Sequence, residues 1–560
     1  MSYEVFPRVK RAKKAEGAYR FEALRVYYVG EAPLFVSTLS ILKPELAVQA
    51  ASRDEADLVL SVAKVFSSKE EYCYLRVTEK GMEIHCRDNM GARNAATILA
   101  QIIRCDEKGY YVPCGSIEDY PDASYRGFML ESSGRVNTWM EMEEIYDHIR
   151  MMALARMNEL QFHFMEYNGT TIELDCYPDL HGDGDGDRKY TKAQIRDMID
   201  YAARLGITVT PFVEILSHSK DFTVKAGIAC PGDDNPKEMF AVCLGQEKTF
   251  EAIGRVLAEV AELFPAPVLH IGCDEYDMRR VIPKTAYWDR CPLCQALSRE
   301  KGFTTMRELF LYALERINQM VNKLGKITML WNADMKPFQL PEELERNMIV
   351  QYFRYDHPYA LEQLYELYPD GYAEDGYTVL NSYYPNTYLN DGGDYAVDMD
   401  IVHWSYLREP AVAPQNHAKV IGGCACAWQG VSFKRTIPPA ILLYGDRLWN
   451  ANDSGVPYDA AYGKAMTRVL FEGKLPEGMN LFDMVGRMLP PQYKDKLVHE
   501  KFIRASLQEI REMRAALEAL AANGHRLAGI YAEMAAAAEE HVLNLPSELL
   551  PLKEAQHFVG

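Results

Sequence analysis

The sequence predicts an α/β protein built on a (β/α)8 barrel of the TIM type, with a small α+β domain before the barrel and a helical C-terminal domain after it. Between residues 121 and 455, short apolar segments alternate with amphipathic segments. Residues 1–120 mix strand-like and helical patterns, and residues 456–560 hold a linker and alanine-rich helical sequence. Regular strand and helix alternation over such a length is typical of barrels and of doubly wound sheets.

The first 120 residues predict a small domain that contains both strands and a helix. Strands are expected over Leu24–Val29, Leu58–Val62, Tyr72–Val77 and Met82–His85, and a helix around Arg93–Ile103. The segment Ile117–Arg126 contains a proline and small polar residues. A proline together with small polar residues is typical of a domain boundary.

Eight barrel strands are predicted, near 126–131, 159–164, 207–213, 267–272, 327–332, 347–353, 377–382 and 419–424. Helices are predicted in most of the gaps, among them Glu141–Arg156, Lys192–Leu205, Lys248–Phe264 and Thr305–Leu324. In each of these helices, apolar residues recur at spacings of three and four. A doubly wound open sheet is the competing fold. No Gly-x-Gly-x-x-Gly motif opens any of the helices, which disfavours the nucleotide-binding version of that competitor.

The C-terminal segment predicts a helical hairpin. Its helices are expected over Lys496–Ala522 and His525–Val542, with Asn523 and Gly524 between them. The hairpin could pack against the barrel or against a second subunit, so a homodimer is one possibility that the sequence leaves open.

Composition and charge narrow the class of protein. The chain has 560 residues, 80 of them acidic and 61 basic, and a formal net charge of −19, which disfavours nucleic acid as a partner. The longest apolar runs, Met239–Leu244 and Leu309–Leu314, are much shorter than the roughly 18 residues of a membrane span. No membrane partner is therefore expected. Residues 1–14 contain basic residues but lack the apolar segment that follows them in a signal peptide. We therefore expect a cytoplasmic protein.

The 12 cysteines are too sparse for a disulfide scaffold and are expected to be reduced thiols. Cys291 and Cys294 have the spacing of half a zinc site, but no second Cys-x-x-Cys pair accompanies them. Ordinary semi-buried thiols are favoured over a structural zinc ion, and no metal or cofactor is predicted. If a zinc site did form, the cysteines that could complete it are Cys230, Cys243, Cys424 and Cys426.

Polar and aromatic residues follow the predicted barrel strands, and the carboxyl ends of barrel strands carry active sites. These residues are Glu131, His163, Glu166, Glu214, His218, His270, Asp274, Glu275, Tyr276, Trp331, Asn332, Asp334, Tyr352, Arg354, Tyr383, Tyr384, Tyr388 and Trp428. Aromatic faces stack on the C–H faces of sugar rings, and acids bind hydroxyl groups and assist bond cleavage. The set therefore predicts a carbohydrate site.

One acidic pair has the position that catalysis needs. Asp-Glu occurs at 54–55, 106–107 and 274–275, but only Asp274 and Glu275 directly follow a buried strand pattern, Val268–Gly272. Two carboxyl groups this close disfavour simultaneous ionisation, so one can stay protonated as a general acid. This chemistry suits glycoside hydrolysis.

With these motifs the sequence resembles glycoside hydrolase family 20, the β-N-acetylhexosaminidases, from about residue 5 to residue 452. The resemblance is carried by residues 125–132, 152–164, 201–219 and the signature His270-Ile-Gly-Cys-Asp-Glu275. It implies an exo-acting hydrolase that removes terminal β-linked GlcNAc or GalNAc from a small oligosaccharide or glycoconjugate. The implied mechanism is retaining and substrate-assisted, through an oxazolinium intermediate. The helical tail resembles that of certain bacterial members.

The resemblance also implies roles for individual residues. Glu275 would be the general acid and base, and Asp274 would orient the acetamido N–H. Arg126 would bind ring hydroxyls, and Tyr388 the acetamido oxygen. The implied substrate-binding residues are Arg126, His163, His218, Trp331, Phe353, Tyr388, Asn390 and Trp428.

Four positions depart from the pattern of the family that the sequence resembles. Cys273 stands where the family usually has a second glycine, and Phe353 replaces a pocket tryptophan. Asn390 stands where aspartate is frequent, and Gly430 where many members have glutamate. The last two changes leave the choice between gluco and galacto epimers open.

Three other functions remain compatible with the residues. One is a retaining barrel glycosidase with a covalent carboxylate nucleophile, and another is a non-catalytic N-acetylhexosamine-binding protein. The third is a metal-dependent hydrolase that uses His163, His218, His270 and Asp274, although no His-x-His or His-Glu-x-x-His pair supports it.

Overall fold

The structure is a computed structural model, and we describe the parts of the chain that it defines. These are residues 5–133, 139–167, 169–180, 188–233, 241–276, 287–332, 335, 344–353, 368–389, 397–398, 404–428, 437–452, 460–484, 487–488 and 507–543.

The N-terminal part forms a mixed sheet with two helices, so the predicted α+β class is confirmed, while only four of the strands and the second helix were predicted. Its strands are β1 (Arg11–Phe21), β2 (Leu24–Val29), β3 (Val48–Ala50), β4 (Leu58–Val62), β5 (Cys73–Thr78), β6 (Gly81–Cys86), β7 (Arg104–Asp106) and β8 (Gly109–Asp119), and its helices are α1 (Pro33–Leu42) and α2 (Asn89–Ile102). The strand order is β1-β8-β5-β6-β4-β2-β3, with β7 on β8. The side chain of Asp88 caps α2 by accepting the N–H of Gly91 at 2.8 Å.

Eight parallel strands form a closed barrel, so the barrel prediction is confirmed and the open sheet is excluded. The remaining strands are β9 (Tyr125–Glu131), β10 (Glu159–Glu166), β11 (Gly169–Thr170), β12 (Thr208–Val213), β13 (Val268–His270), β14 (Ile327–Trp331), β15 (Ile349–Tyr352), β16 (Thr378–Asn381), β17 (Tyr388–Leu389), β18 (Val397–Asp398), β19 (Val420–Ala427) and β20 (Arg487–Met488). The barrel order is β9-β10-β12-β13-β14-β15-β16-β19, and β19 pairs with β9 to close the ring.

The helices after the N-terminal part are α3 (Met142–Leu154), α4 (Lys192–Arg204), α5 (Lys220–Lys225), α6 (Glu247–Leu263), α7 (Pro292–Lys301), α8 (Met306–Lys323), α9 (Pro369–Glu374), α10 (Tyr384–Thr387), α11 (Ile437–Trp449), α12 (Ala460–Leu470), α13 (Leu481–Met484), α14 (Leu507–Ala522) and α15 (Arg526–Leu543). The four predicted barrel helices are α3, α4, α6 and α8. Thr191 and Thr305 begin α4 and α8 with capping boxes. Within the described residues, no helix combines the length and the apolar character needed to cross a bilayer.

The C-terminal hairpin packs against the barrel. Helices α14 and α15 are joined at Asn523 and Gly524, as predicted, although α14 begins at Leu507 and residues 496–506 lie outside the described chain. At the start of α15, Arg526 donates to the Asp147 carboxylate at 2.6 Å and to the Glu143 carbonyl at 2.8 Å. Both acceptors belong to α3, so this contact joins the hairpin to the barrel.

Buried arginines join the amino end of the barrel to the N-terminal sheet. Arg126, the second residue of β9, is fully buried and pairs at 2.7 Å with Glu71, which lies two residues before β5 in the N-terminal part. Its Nε donates to the carbonyl of Arg156 at 2.8 Å. The side chain of Arg156 in turn contacts Asp119 at the end of β8.

This position corrects the expectation that Arg126 binds ring hydroxyls. The carboxyl end of its strand, at Glu131, is roughly 16 Å away at about 3.3 Å per residue. The guanidinium is fully buried and occupied by Glu71 and by backbone carbonyls, including that of Ala123 at 2.8 Å. Arg126 therefore holds two parts of the chain together at the end of the barrel opposite to the predicted site.

Replacing this arginine should affect stability and leave the opposite rim intact. We expect Arg126→Met to lower the free energy of unfolding by about 3–5 kcal/mol, because it leaves Glu71 without its buried partner. Urea denaturation followed by circular dichroism measures this loss. The double variant Arg126→Met/Glu71→Gln should recover part of it, since no charge is then unpaired. Unchanged stability together with weaker sugar binding would restore the role that we have rejected.

Candidate active site

The acidic pair lies in a strained turn directly after β13. The backbone φ angles are +65° at Gly272, +71° at Cys273 and +57° at Glu275, all in the left-handed region. Residues other than glycine adopt this conformation at a cost of order 1–2 kcal/mol each. Two contacts fix the turn: Gly272 donates its N–H to His270 Nδ1 at 3.0 Å, and Trp331 donates its N–H to the carbonyl of Gly272 at 3.1 Å. Such strain, held by its surroundings, is typical of functional sites.

Glu214, the residue that follows β12, supports the turn from the neighbouring strand. Its Oε2 accepts the N–H of Cys273 at 3.0 Å. A Cβ atom at Gly272 would lie 1.9 Å from the same oxygen, so only glycine allows this approach. Burial and the negative charges of Asp274 and Glu166 raise the pKa of Glu214 well above its ordinary value. The carboxyl group of Glu214 therefore keeps its proton to higher pH than an ordinary glutamic acid does.

A chain of alternating acid and imidazole groups leads to Glu275. Glu166 lies 3.3 Å from His163 Nε2 through one oxygen and 3.0 Å from His218 Nδ1 through the other. The Nε2 of His218 is 3.3 Å from Glu275 Oε2. Burial opposes the charge of His218, but Glu166 and Asp274, with hydrogen bonds to Glu166 and Glu275, raise its pKa well above the ordinary value. His218, next to Glu275, therefore keeps its positive charge to higher pH than an ordinary histidine does.

The rings of His163, Phe212 and His270 stack on one another at the carboxyl ends of their strands, and we call this stack the floor of the site. Phe212 stacks on His163 at 3.9 Å and on His270 at 3.8 Å, measured between ring centroids. Because the Phe212 ring lies between the two imidazoles, they cannot bind one metal ion together. Burial and the neighbouring His163 lower the pKa of His270 well below its ordinary value, and its Nδ1 already accepts from Gly272. This arrangement contradicts the metal-dependent hydrolase that uses all three histidines.

Four aromatic residues form a box beside the acids. The ring of Trp331 lies 5.3 Å from Phe353, 6.2 Å from Tyr388 and 6.0 Å from Trp428, and Phe353 and Tyr388 are stacked at 6.1 Å. Trp428 also contacts His163 edge-on at 5.6 Å, which connects the box to the floor. Among the described residues, the buried indole N–H groups of Trp331 and Trp428 have no hydrogen-bond partner. Buried donors of this kind are available to a polar ligand.

Strand pairing places two of these aromatic residues. Strand β17 pairs with β19 through Tyr388 and Cys426, and Trp428 donates its N–H to the carbonyl of Leu389 at 2.8 Å. Tyr388 and Trp428 are thus held side by side, although 40 residues separate them in the sequence. On the other side, Phe353 donates its N–H to Asn332 Oδ1 at 2.8 Å.

The structure brings most of the predicted site residues together. The residues that share this region are Asp274, Glu275, His163, His218, Trp331, Phe353, Tyr388 and Trp428. Asn390, like Gly430, lies outside the described residues. Glu166 and Glu214 belong to the strand-end residues from which the sequence predicts a carbohydrate site, but the sequence assigned neither of them a role. Their roles depend on contacts with His218 and Cys273 that only the fold provides.

The catalytic-domain model of glycosyl hydrolase family 20 matches residues 124–451 of this sequence, which span the whole barrel. The chain belongs to glycoside hydrolase family 20. The family resemblance of the sequence motifs is therefore confirmed, and the matched range contains both Asp274 and Glu275.

Relatives in the family share part of the chain. A beta-hexosaminidase of Porphyromonas gingivalis is 30% identical over 298 residues, which are 49% of this chain and 37% of that protein. A beta-hexosaminidase of Vibrio furnissii is 27% identical over 416 residues, 66% of this chain and 63% of that protein. The chain thus matches less than two thirds of the length of either relative.

A solved structure of the family has the same fold. It is a variant of Streptomyces plicatus beta-hexosaminidase in complex with its product GlcNAc, and it superposes with a TM-score of 0.66 at 19% sequence identity. The match covers 84% of this chain and 95% of that chain.

Within this family-20 site, the turn geometry shows that one departure from the family pattern has a steric cost. Cys273 occupies a left-handed backbone position where family members usually have glycine, the residue that adopts this conformation without steric cost. The cysteine side chain is fully buried, and its thiol lies 3.2 Å from the carbonyl of Ile271. Phe353, the other departure in the described region, still lies in the wall of the aromatic box.

The raised pKa of Glu214 predicts how stability depends on pH. Its folded-state pKa is raised, so the folded protein keeps a proton that the unfolded chain loses above about pH 4.3. The wild-type free energy of unfolding should therefore fall as pH rises from there towards the folded pKa. Glu214→Gln has no such proton, and its amide oxygen can still accept from Cys273. The melting temperature of the variant minus that of the wild type should increase between pH 4 and pH 8, and a difference independent of pH would refute the assignment.

Proposed function

We propose that this chain is an exo-acting β-N-acetylhexosaminidase, which removes terminal β-linked GlcNAc or GalNAc from small oligosaccharides or glycoconjugates. The observation that carries the proposal is the placement of Asp274 and Glu275 at the carboxyl end of β13, beside the aromatic box of Trp331, Phe353, Tyr388 and Trp428. Family membership and the names of the relatives support the same reaction. The Streptomyces plicatus structure with GlcNAc supports the sugar type.

In the first step, Glu275 gives a proton to the oxygen of the leaving group. The carbonyl oxygen of the 2-acetamido group attacks the anomeric carbon as the glycosidic bond breaks, which gives an oxazolinium ion. Asp274 accepts a hydrogen bond from the acetamido N–H and stabilises the positive charge that develops there. Tyr388 donates to the acetamido oxygen and orients it for attack. No bond forms between the sugar and the protein.

In the second step, the carboxylate of Glu275 takes a proton from water as that water attacks the anomeric carbon. The oxazolinium ring opens, and the product keeps the configuration of the substrate. His218, 3.3 Å from Glu275, stabilises the carboxylate between the two steps when its imidazole is protonated. Glu166 holds His218 in this orientation through Nδ1.

The two acids and His218 lie close together in the site. Ligand atoms of His218, Asp274 and Glu275 all lie within 4.8 Å of one another. Two carboxyl groups this close disfavour ionisation of both at once, so that a proton can remain on one of them. Retention of configuration follows from the two displacements at the anomeric carbon, first by the acetamido oxygen and then by water.

Replacing the proton donor should produce a loss that depends on the leaving group. We expect Glu275→Gln to reduce kcat/KM by roughly 10²–10⁴-fold for N-acetylhexosaminides with poor leaving groups. Aryl substrates with an acidic phenol should be affected less, because they need little protonation. Glu262→Gln, an exposed acid on α6, serves as the matched control and should keep full activity. Equal losses for both substrate classes would contradict the assignment of Glu275 as the acid.

The 2-acetamido group should be essential if it provides the nucleophile. Among aryl β-glycosides that differ only at C2 and C4, we expect turnover of N-acetylhexosaminides and almost none of plain glucosides or galactosides. A thiazoline mimic of the oxazolinium should inhibit competitively and much more tightly than the substrate binds. Asp274→Asn should slow turnover, since an amide stabilises positive charge poorly.

Two outcomes would replace the proposal with an alternative. A covalent sugar on Asp274, trapped with a 2-fluoro glycoside and found by mass spectrometry, would indicate a carboxylate nucleophile. Tight binding of N-acetylhexosamines without turnover of any substrate would indicate a non-catalytic sugar-binding protein.

A further inference from the structure

Four cysteines from different segments of the sequence lie close together in the fold. Cys230, Cys243, Cys291 and Cys294 are all buried, and their sulfur atoms lie within 4.8 Å of one another. The Sγ of Cys243 is 3.7 Å from that of Cys291 and 3.8 Å from that of Cys294. The sequence favours ordinary thiols here, because it shows only the half-site of Cys291 and Cys294. Folding supplies the second pair, Cys230 and Cys243.

The sulfur separations match a tetrahedral metal site. With Zn–S bonds of about 2.3 Å, the edge of a regular ZnS4 tetrahedron is about 3.8 Å. Cys243 lies at this distance from both members of the Cys-x-x-Cys pair. A disulfide would instead bring two sulfurs to about 2.05 Å, and all four cysteines are free thiols in the structure.

The set of four thiols also narrows the kind of metal. Tetrahedral sites with four sulfur ligands hold zinc or iron–sulfur centres. In a four-iron cluster the cysteines bind different iron atoms, which spreads their sulfurs further apart than the separations found here. A single ion therefore fits the geometry, and zinc is the ion that such closed sites hold in structural roles.

The backbone is arranged to bring the two pairs together. Cys291 is the N-cap of α7, and its Sγ accepts the N–H of Cys294 at 3.5 Å. A Cβ at Gly245 would lie 2.2 Å from the backbone of Leu293, so this glycine lets the segment after Cys243 approach the turn between Cys291 and Cys294. The N-terminus of α7 and the N–H group on sulfur both favour thiolate ligands.

Backbone hydrogen bonds fix the other pair. Cys243 donates its N–H to the carbonyl of Ile228 at 2.9 Å, which places the Cys230 and Cys243 segments side by side. Thr249 at the start of α6 donates its hydroxyl to the carbonyl of Cys243 at 2.5 Å. These contacts hold the thiols in place through groups other than the sulfurs.

We propose that Cys230, Cys243, Cys291 and Cys294 bind one structural zinc ion. Four protein ligands fill the coordination sphere, so the ion has no open position for a substrate or an activated water. The site joins the segment after β12, which also carries Glu214 and His218, to the start of α7, which follows the segment after Asp274 and Glu275. Zinc thus stabilises the rim of the barrel that carries both parts of the acid–imidazole chain.

Metal analysis of the full chain tests the proposal directly. Protein purified under reducing conditions, without chelators or a metal-affinity resin, should contain about one zinc per chain by inductively coupled plasma mass spectrometry. Refolding or exchange with cobalt should give the visible absorption of tetrahedral cobalt with four thiolate ligands. Neither measurement depends on catalytic activity. A negative result would therefore refute the zinc site without bearing on the proposed hydrolase function.

Paired variants distinguish the site from adventitious binding. Cys294→Ser should reduce the zinc content at least about tenfold and lower the melting temperature, because metal binding is coupled to folding. Cys86→Ser is the matched control, since Cys86 is equally buried but lies in the N-terminal sheet beside Cys73. It should keep its zinc. If Cys294→Ser does not fold, the zinc content and the cobalt spectrum of the wild-type chain still test whether the four cysteines bind a metal ion.

Three results would overturn the proposal. The first is the absence of zinc from wild-type protein in which all 12 cysteines of the sequence titrate as thiols after unfolding. The second is a titration with fewer thiols, accompanied by disulfide-linked peptides from this cluster. The third is iron in place of zinc, or zinc that Cys294→Ser retains.

Discussion

Closure of the barrel is the constraint on which the remaining structure depends. Strand β19 pairs with β9, and a Cβ atom at Gly422 would lie 1.9 Å from the carbonyl oxygen of Tyr125. Glycine at this position therefore lets the last strand approach the first. Once the ring is closed, the carboxyl ends of all eight strands lie on one rim. Residues as distant in sequence as His163, Asp274 and Trp428 then belong to one site.

The two rims of the barrel use buried charges in different ways. At the amino rim, Arg126 pairs with Glu71 and Arg156 with Asp119, so each charge is neutralised by a fixed partner. At the carboxyl rim, negative groups crowd together, and burial with this crowding raises the pKa of Glu214 well above its ordinary value. The first arrangement joins domains, because paired buried charges are costly to separate. The second leaves protons and charges available for a reaction.

The carboxyl rim carries backbone strain that its surroundings support. His218, Cys273 and Glu275 all have positive φ angles, which would relax in an isolated segment. Glu214 holds the turn by accepting the N–H of Cys273, and the hydroxyl of Ser217 donates to the carbonyl of Asp274. The two segments that carry the proposed catalytic groups are thus bonded to each other. The cysteine cluster lies where it could reinforce the same connection.

The sequence by itself determined the barrel strands and the acidic pair. Apolar periodicity predicted all eight barrel strands, and the position of Asp274 and Glu275 after a buried strand predicted the site, because both signals are local. Only the tertiary structure decided which distant groups meet. It placed Arg126 at the opposite rim, set Glu166 against His218, and brought Cys230 and Cys243 to the Cys-x-x-Cys turn. Such contacts depend on strand register and barrel closure, which no local pattern of residues specifies.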